Sequence, residues 1–141
     1  MKIINTAYSY DKQKVKYTAN RQTDPAIAKL INSSLGNTKT VLNVGAGTGS
    51  YEPTDRIVTA VEPSEVMREQ RSPEKVPAIA AYADNLPFED NSFDAAMAIL
   101  TIHHWPDIKK GLLELRRVTK NTVVIMTFAP ETVGRFWLAD Y

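Results

Sequence analysis

Two features of this chain carry chemistry when taken together: the glycine run Gly45-Ala46-Gly47-Thr48-Gly49 and the carboxylate of Glu62. Glycine admits positive φ and lets a ligand approach the backbone closely. The run follows a short β-rich stretch, Thr40 to Val44. It therefore predicts a turn at the carboxyl end of a strand, with room for a nucleotide-like cofactor. Alone, the same run also reads as a plain structural turn. Glu62 closes the next β-rich stretch, Arg56 to Val61. A carboxylate there accepts hydrogen bonds from both hydroxyls of a ribose, as the acidic residue of a dinucleotide site does. Alone, it reads equally well as an ordinary exposed glutamate. Placed at one end of adjacent strands, the two features specify far more than either does separately.

The glycine spacing discriminates between cofactors. A dinucleotide fingerprint runs G-x-G-x-x-G and seats a pyrophosphate on a helix N-terminus. Here the glycines run G-x-G-x-G and are followed by Ser50-Tyr51-Glu52-Pro53, which leaves little room for a phosphate-facing helix. Glu52 is expected to repel a phosphate. A zwitterionic amino-acid tail on a nucleoside suits this loop better. His103 and His104 are the only histidines, and there is no cysteine. No metal site is expected, because two adjacent side chains diverge. His103 reads either as a cofactor-site residue or general base, or as a residue that caps or packs the loop before Trp105-Pro106. Trp105 reads as core or wall in preference to a substrate stacker.

The elements that must position these groups follow from pattern. Asp24-Pro25 resembles an N-cap with proline in the first turn. Ile27, Leu30, Ile31 and Leu35 continue at helical spacing to a stop at Gly36. Strands are expected over Thr40 to Val44, Arg56 to Val61, Pro77 to Tyr82, Phe93 to Leu100 and Thr122 to Phe128. Ser64 caps a short helix to about Gln70. Asp107 caps one with Ile108, Leu112, Leu115 and Val118 along one side, and Glu131 to Tyr141 begin another. Alternation of strands and helices predicts an α/β, Rossmann-like, mostly parallel sheet with helices on both faces. Ligands bind such sheets beyond the carboxyl ends of the strands. Residues 1–23 are polar and read as an arm preceding the domain of residues 24–141.

Bulk properties exclude several classes. The chain of 141 residues favours one domain. Its apolar fraction of 43% and charged fraction of 23% are ordinary for a globular domain. A net charge of +1 gives no nucleic-acid or anionic-membrane surface. No apolar run reaches the length of a membrane span, and the N-terminus lacks the apolar stretch of a signal peptide. A cytoplasmic location is the default expectation.

Three stretches in order resemble four motifs of class I S-adenosylmethionine-dependent methyltransferases. VLNVGAGTG resembles their first motif and TAVEPSEVM their second. ADNLPFEDNSFDAAMAILTIHHWPD resembles the third and fourth motifs of the ubiquinone and menaquinone biosynthesis subgroup. The resemblance runs from about Tyr17 to Pro130. It implies strand order 3-2-1-4-5, S-adenosylmethionine as cofactor and S-adenosylhomocysteine as product. It implies that Gly45, Ala46 and Gly47 line the methionine part and that Glu62 holds the ribose. Pro63 flanks the adenine, Ala83 and Asp84 lie at its edge, and Ala98, Ile99 and His103 lie near the sulfonium. Tyr17 and Arg21 resemble an arm that closes over the cofactor, with Arg21 on the methionine carboxylate. Asn43 stands where the family commonly has an acid; its amide still accepts from the cofactor's ammonium, without a full charge. Tyr82 stands where many relatives carry an aspartate toward the adenine, and Asp84 substitutes for it.

Methyl transfer from a sulfonium is an in-line displacement from an activated donor, so orientation and a dry site suffice unless the acceptor must lose a proton. The partner implied is a small-molecule methyl acceptor of unassigned chemistry. The family usually adds two further strands after the fifth. The apolar edge of Thr122 to Phe128 then calls for a homodimer through that strand or for a missing C-terminal segment. The alternative to an enzyme is a cofactor-binding fragment or non-catalytic partner subunit with the same fold. A nicotinamide oxidoreductase is disfavoured by the glycine spacing.

Overall fold

In the computed structural model, which describes residues 23–128, each helix begins where the sequence offers a cap. Helix α1 (Pro25–Leu35) starts with Pro25 after Asp24, whose carboxylate accepts from Ala26 N–H at 2.8 Å. It stops at Gly36 with φ 61°. Helix α2 (Glu65–Glu69) is capped by Ser64, and helix α3 (Ile108–Val118) by Asp107. These side-chain acceptors satisfy N–H groups that a helix start leaves without a partner.

Among the described residues, five parallel strands form one sheet in the order β3-β2-β1-β4-β5, with β1 Thr40–Val44, β2 Ile57–Val61, β3 Ala78–Ile79, β4 Phe93–Ile99 and β5 Thr119–Met126. Alternate residues of the central strands point to opposite faces. Val41, Ala95 and Met97 pack under Ile31 and Leu35 of α1. Leu42, Val44, Ala96 and Ala98 pack with Leu115 and Val118 of α3 and with Trp105. Helices therefore cover both faces, as a central parallel sheet requires. Trp105 is a core residue. Its ring lies over Gly111, where a Cβ would come within 2.4 Å of Trp105 Cε3.

Element boundaries depart from the sequence expectations for identifiable reasons. Strand β3 is only Ala78–Ile79, because it pairs solely with Ala60 and Val61 at the end of β2. Strand β5 begins at Thr119, directly after α3, because Thr119 is already paired with Phe93. It ends at Met126, opposite Ile99, the last residue of β4, so Thr127 and Phe128 lie beyond it. Leu100 leaves β4 with φ 53°. The connection from β1 to β2 carries no helix. Tyr17, Arg21, the expected arm apart from its last residue, Thr23, and the expected helix over 131–141 lie outside the described residues.

At the amino-terminal end of the sheet, Asp94 clasps β1 to β4. Its Oδ2 accepts from the backbone N–H groups of Lys39 and Thr40, both at 3.1 Å, and its own N–H donates to Thr40 Oγ1 at 2.9 Å. On the α3 face, Glu114 accepts from Leu86 N–H at 2.9 Å. Arg117 pairs with Glu114 and donates to the carbonyls of Leu86 and Phe88, holding the loop before β4 onto the helix. Among the described residues, no helix is long and apolar enough to cross a membrane.

Candidate cofactor pocket

The turn after β1 is built from backbone that only glycine adopts readily. Gly45, Gly47 and Gly49 have φ of 68°, 52° and 81°. A Cβ at Gly45 would stand 2.0 Å from Thr101 Oγ1, so the turn after β1 and the segment after β4 approach in a way no side chain at position 45 permits. These two segments frame a pocket of about 130 Å³ beyond the carboxyl ends of β1, β2 and β4. Asn43, Gly45, Ala46 and Gly47 form one side, Glu62 the β2 side, and Met97, Ile99 and Thr101 the β4 side.

Glu62 is 8% exposed. Burial, the dominant cause, pushes its carboxyl up from 4.5 to about 7, while backbone hydrogen bonds from Ser64 and Gly47 and the charges of Arg68 and Arg71 pull it partly back. Arg68 donates to the carbonyls of Glu62 and Pro63 at 2.9 and 2.8 Å, which fixes the backbone just beyond β2. A carboxylate offers about four acceptor positions. With two taken by backbone N–H groups, Glu62 retains capacity for a ligand's paired hydroxyl donors.

Of the residues expected at the site, Asn43, Gly45, Ala46, Gly47, Glu62 and Ile99 are brought together on the pocket wall. Pro63, Ala83, Asp84, Ala98 and His103 do not line it. Ala83 and Ala98 are buried in the apolar core on the α3 face. His104, weighed from the sequence only as a metal ligand, lines the pocket. The two histidines sit in a 3₁₀ turn, Ile102–His104. Their rings do not diverge but lie 3.9 Å apart, and His103 also faces Phe128 at 5.8 Å. Thr101, Met97 and Met67 also line the pocket without having been anticipated. The tight packing of Thr101 on Gly45 has no local sequence signal.

The expected repulsion by Glu52 does not hold. Its side chain is 4% exposed and is paired with Arg71, Nη2 to Oε1 at 2.7 Å and Nη1 to Oε2 at 2.9 Å. It also accepts from Asn43 Nδ2 at 2.8 Å. The charge is thus compensated within the protein.

Residues 42–127 match the model of a family described as a methyltransferase domain. The chain belongs to this methyltransferase family. Strand order and the position of the pocket agree with that membership. Among curated relatives, an uncharacterized methyltransferase, YcgJ, of Bacillus subtilis is 30% identical over 112 residues, covering 72% of this chain and 40% of that protein. A demethylmenaquinone methyltransferase of Renibacterium salmoninarum is 37% identical over 105 residues, covering 68% of this chain and 44% of that protein. Among solved structures, a protein named as a candidate methyltransferase of an antibiotic biosynthesis pathway in Anabaena variabilis superposes with a TM-score of 0.74 at 36% identity. It covers 86% of this chain and 52% of its own. The chain therefore spans less than half the length of these curated relatives.

Proposed function

We propose that this methyltransferase domain binds S-adenosylmethionine in the pocket beyond β1, β2 and β4 and transfers its methyl group to a small-molecule acceptor. The observation that carries the reading is Glu62, a buried carboxylate with acceptor capacity to spare, beside the glycine turn whose Gly47 N–H it accepts from. S-adenosylmethionine is the cofactor of the family to which the chain belongs. When bound, it supplies an electrophilic methyl group on a sulfonium.

The chain's own residues then have distinct tasks. Glu62 accepts from the ribose hydroxyls. Gly45, Ala46 and Gly47 admit the amino-acid tail against the backbone, and Asn43 accepts from its ammonium. Pro63 and Asp84 border the adenine, and Ile99 and His103 the sulfonium end, as the resemblance implies, while Ala83 and Ala98, buried in the core, take no part in that lining. Tyr17 and Arg21 belong to the arm that closes over the cofactor, with Arg21 on the methionine carboxylate, as the resemblance implies. Met97, Ile99 and Leu100 keep water from the reacting end. His104, on the pocket wall, is a better-placed candidate than His103 to take a proton from an acceptor that must lose one. Demethylmenaquinone is the first acceptor to test, because a relative is named for methylating it.

Calorimetry with S-adenosylmethionine, S-adenosylhomocysteine and NAD tests the cofactor. The expected result is binding of the first two and none of NAD; equal or tighter binding of NAD overturns the reading. The share of the relatives' length that the chain spans supports a second reading, a cofactor-binding module that does not turn over an acceptor by itself. A methyl-transfer assay on the same chain separates the two.

A further inference from the structure

We propose that the Glu52–Arg71 ion pair is a positioning device for Asn43, which makes the pocket meet the amide's carbonyl oxygen and never its NH₂ group. The proposal rests on the cofactor reading above and assigns the two ends of the amide within it.

An asparagine side chain has an accepting end and a donating end of nearly the same shape. On a pocket wall the two orientations select opposite ligands: the carbonyl oxygen takes an ammonium, and the NH₂ takes a carboxylate or another acceptor. Something must choose between them. Glu52 does so. Its Oε2 lies 2.8 Å from the Asn43 amide nitrogen. Arg71 grips the same carboxylate with two N–H groups at 2.7 and 2.9 Å. An ionised carboxylate accepts and cannot donate. The amide end that faces Glu52 must therefore be the NH₂, and the carbonyl oxygen is the end left for the pocket that Asn43 lines.

The pair is well braced. The side chains of Glu52 and Arg71 are 4% and 3% exposed. Arg71 also donates to the Val76 carbonyl, at 3.0 Å from Nε and 2.8 Å from Nη2, and to the Gly47 carbonyl at 3.2 Å. The guanidinium thus ties together two parts of the pocket wall, the Asn43 amide through Glu52 and the glycine turn directly. The arrangement also accounts for asparagine at this position. An aspartate at 43 would set a second carboxylate within hydrogen-bond distance of Glu52, where like charges oppose each other. Asn43 and Glu52 are a matched pair in which the charge sits one residue back from the ligand.

The test compares two ligands on the whole chain by calorimetry: S-adenosylhomocysteine, and 5′-methylthioadenosine, which shares the nucleoside and lacks the amino-acid tail. The ratio of their affinities reads the tail alone. Glu52→Gln allows the Asn43 amide to turn, and the tail advantage should fall about tenfold or more, the worth of one hydrogen bond to a charged group. Binding of 5′-methylthioadenosine should stay within about twofold, because no contact to the nucleoside is lost. Asn43→Asp alone should lose the tail advantage as well. The double variant Asn43→Asp/Glu52→Gln again holds one carboxylate, one guanidinium and one amide donor, and should recover it. The double variant also decides the matter if Glu52→Gln alone fails to fold. An unchanged ratio in Glu52→Gln, an equal loss for both ligands, or no recovery in the double variant overturns the proposal. Failure of the wild-type chain to bind either ligand overturns the cofactor reading itself, and the proposal with it.

Discussion

Glu62→Gln tests the pocket through two opposed effects of one buried charge. The folded chain holds the Glu62 proton at about 7, against 4.5 for the free side chain, with burial as the main cause. An acid whose folded pKa lies above its unfolded value binds its proton more tightly when folded. Stability from this group is therefore whole below about pH 4.5, declines as pH rises, and reaches its floor above about pH 7. A displacement of that size corresponds to about 3 kcal/mol. Glutamine keeps the shape and removes the charge. It gives back about 1 kcal/mol, because an amide oxygen is a weaker acceptor than a carboxylate for the N–H groups of Ser64 and Gly47. The ligand-free variant should then be about 2 kcal/mol more stable than wild type at pH 8, roughly 6–8 °C in Tm, and no more stable at pH 5. Thermal unfolding followed by circular dichroism at the two pH values measures this. An offset of the same size at both pH values would refute the reasoning. Binding should move the other way. Wild-type affinity for S-adenosylhomocysteine should tighten between pH 6 and 8 as the carboxylate ionises, and Glu62→Ala should weaken it by about 1.5–3 kcal/mol. Normal binding by the alanine variant would exclude the ribose role.

Three further outcomes follow from the packing. Gly45→Ala drives a Cβ to 2.0 Å from Thr101 Oγ1 at a φ of 68°; it should destabilise the chain by about 1–3 kcal/mol and abolish S-adenosylhomocysteine binding, checked by melting and calorimetry. Gly111→Ala improves helix propensity by about 1 kcal/mol. It should still destabilise and shift Trp105 fluorescence, since its Cβ meets the buried ring at 2.4 Å; a variant more stable than wild type would be the wrong result. In Glu114→Gln, faster amide exchange at Leu86 should accompany a loss of about 1 kcal/mol. The Arg117 hydrogen bond, the largest cause, holds the Glu114 carboxyl below its usual 4.5. Its contribution is present above that pH and lost on acidification through the lower folded value, so the difference from wild type should shrink in acid.

The central strands, the caps and the glycine turn were legible because each is a local matter. Thr40 to Val44 is apolar and β-branched, and Asp24, Ser64 and Asp107 are caps by chemistry alone. Pairing partners were not legible. Nothing within Pro77 to Tyr82 shows that only Ala78 and Ile79 have strand partners, and Lys120 and Asn121 conceal the start of β5 because both are exposed. At the site, Asn43, Gly45, Ala46, Gly47, Glu62 and Ile99 could be placed because they adjoin strand ends. The Arg71–Glu52 pair spans 19 residues and joins a turn to the end of a short helix, so no periodic pattern announces it. The choice between His103 and His104 depends on the rotation of one 3₁₀ turn, which residue types alone do not fix.

The Asp94 clasp has a consequence for the opposite end of the sheet. Side chains on a strand alternate between faces, so sliding β1 by one residue past β4 would exchange the two sets. Asn43 would turn from the pocket wall into the apolar layer under α3, and Leu42 would take its place. At the glycine turn the same register is held by the close approach of Gly45 to Thr101 and by the Arg71 hydrogen bond to the Gly47 carbonyl. Asp94, by gripping Lys39 and Thr40 from the surface end, fixes the phase of the whole pair. Damage there would appear as a cofactor site scrambled at a distance, in a chain that still had its sheet.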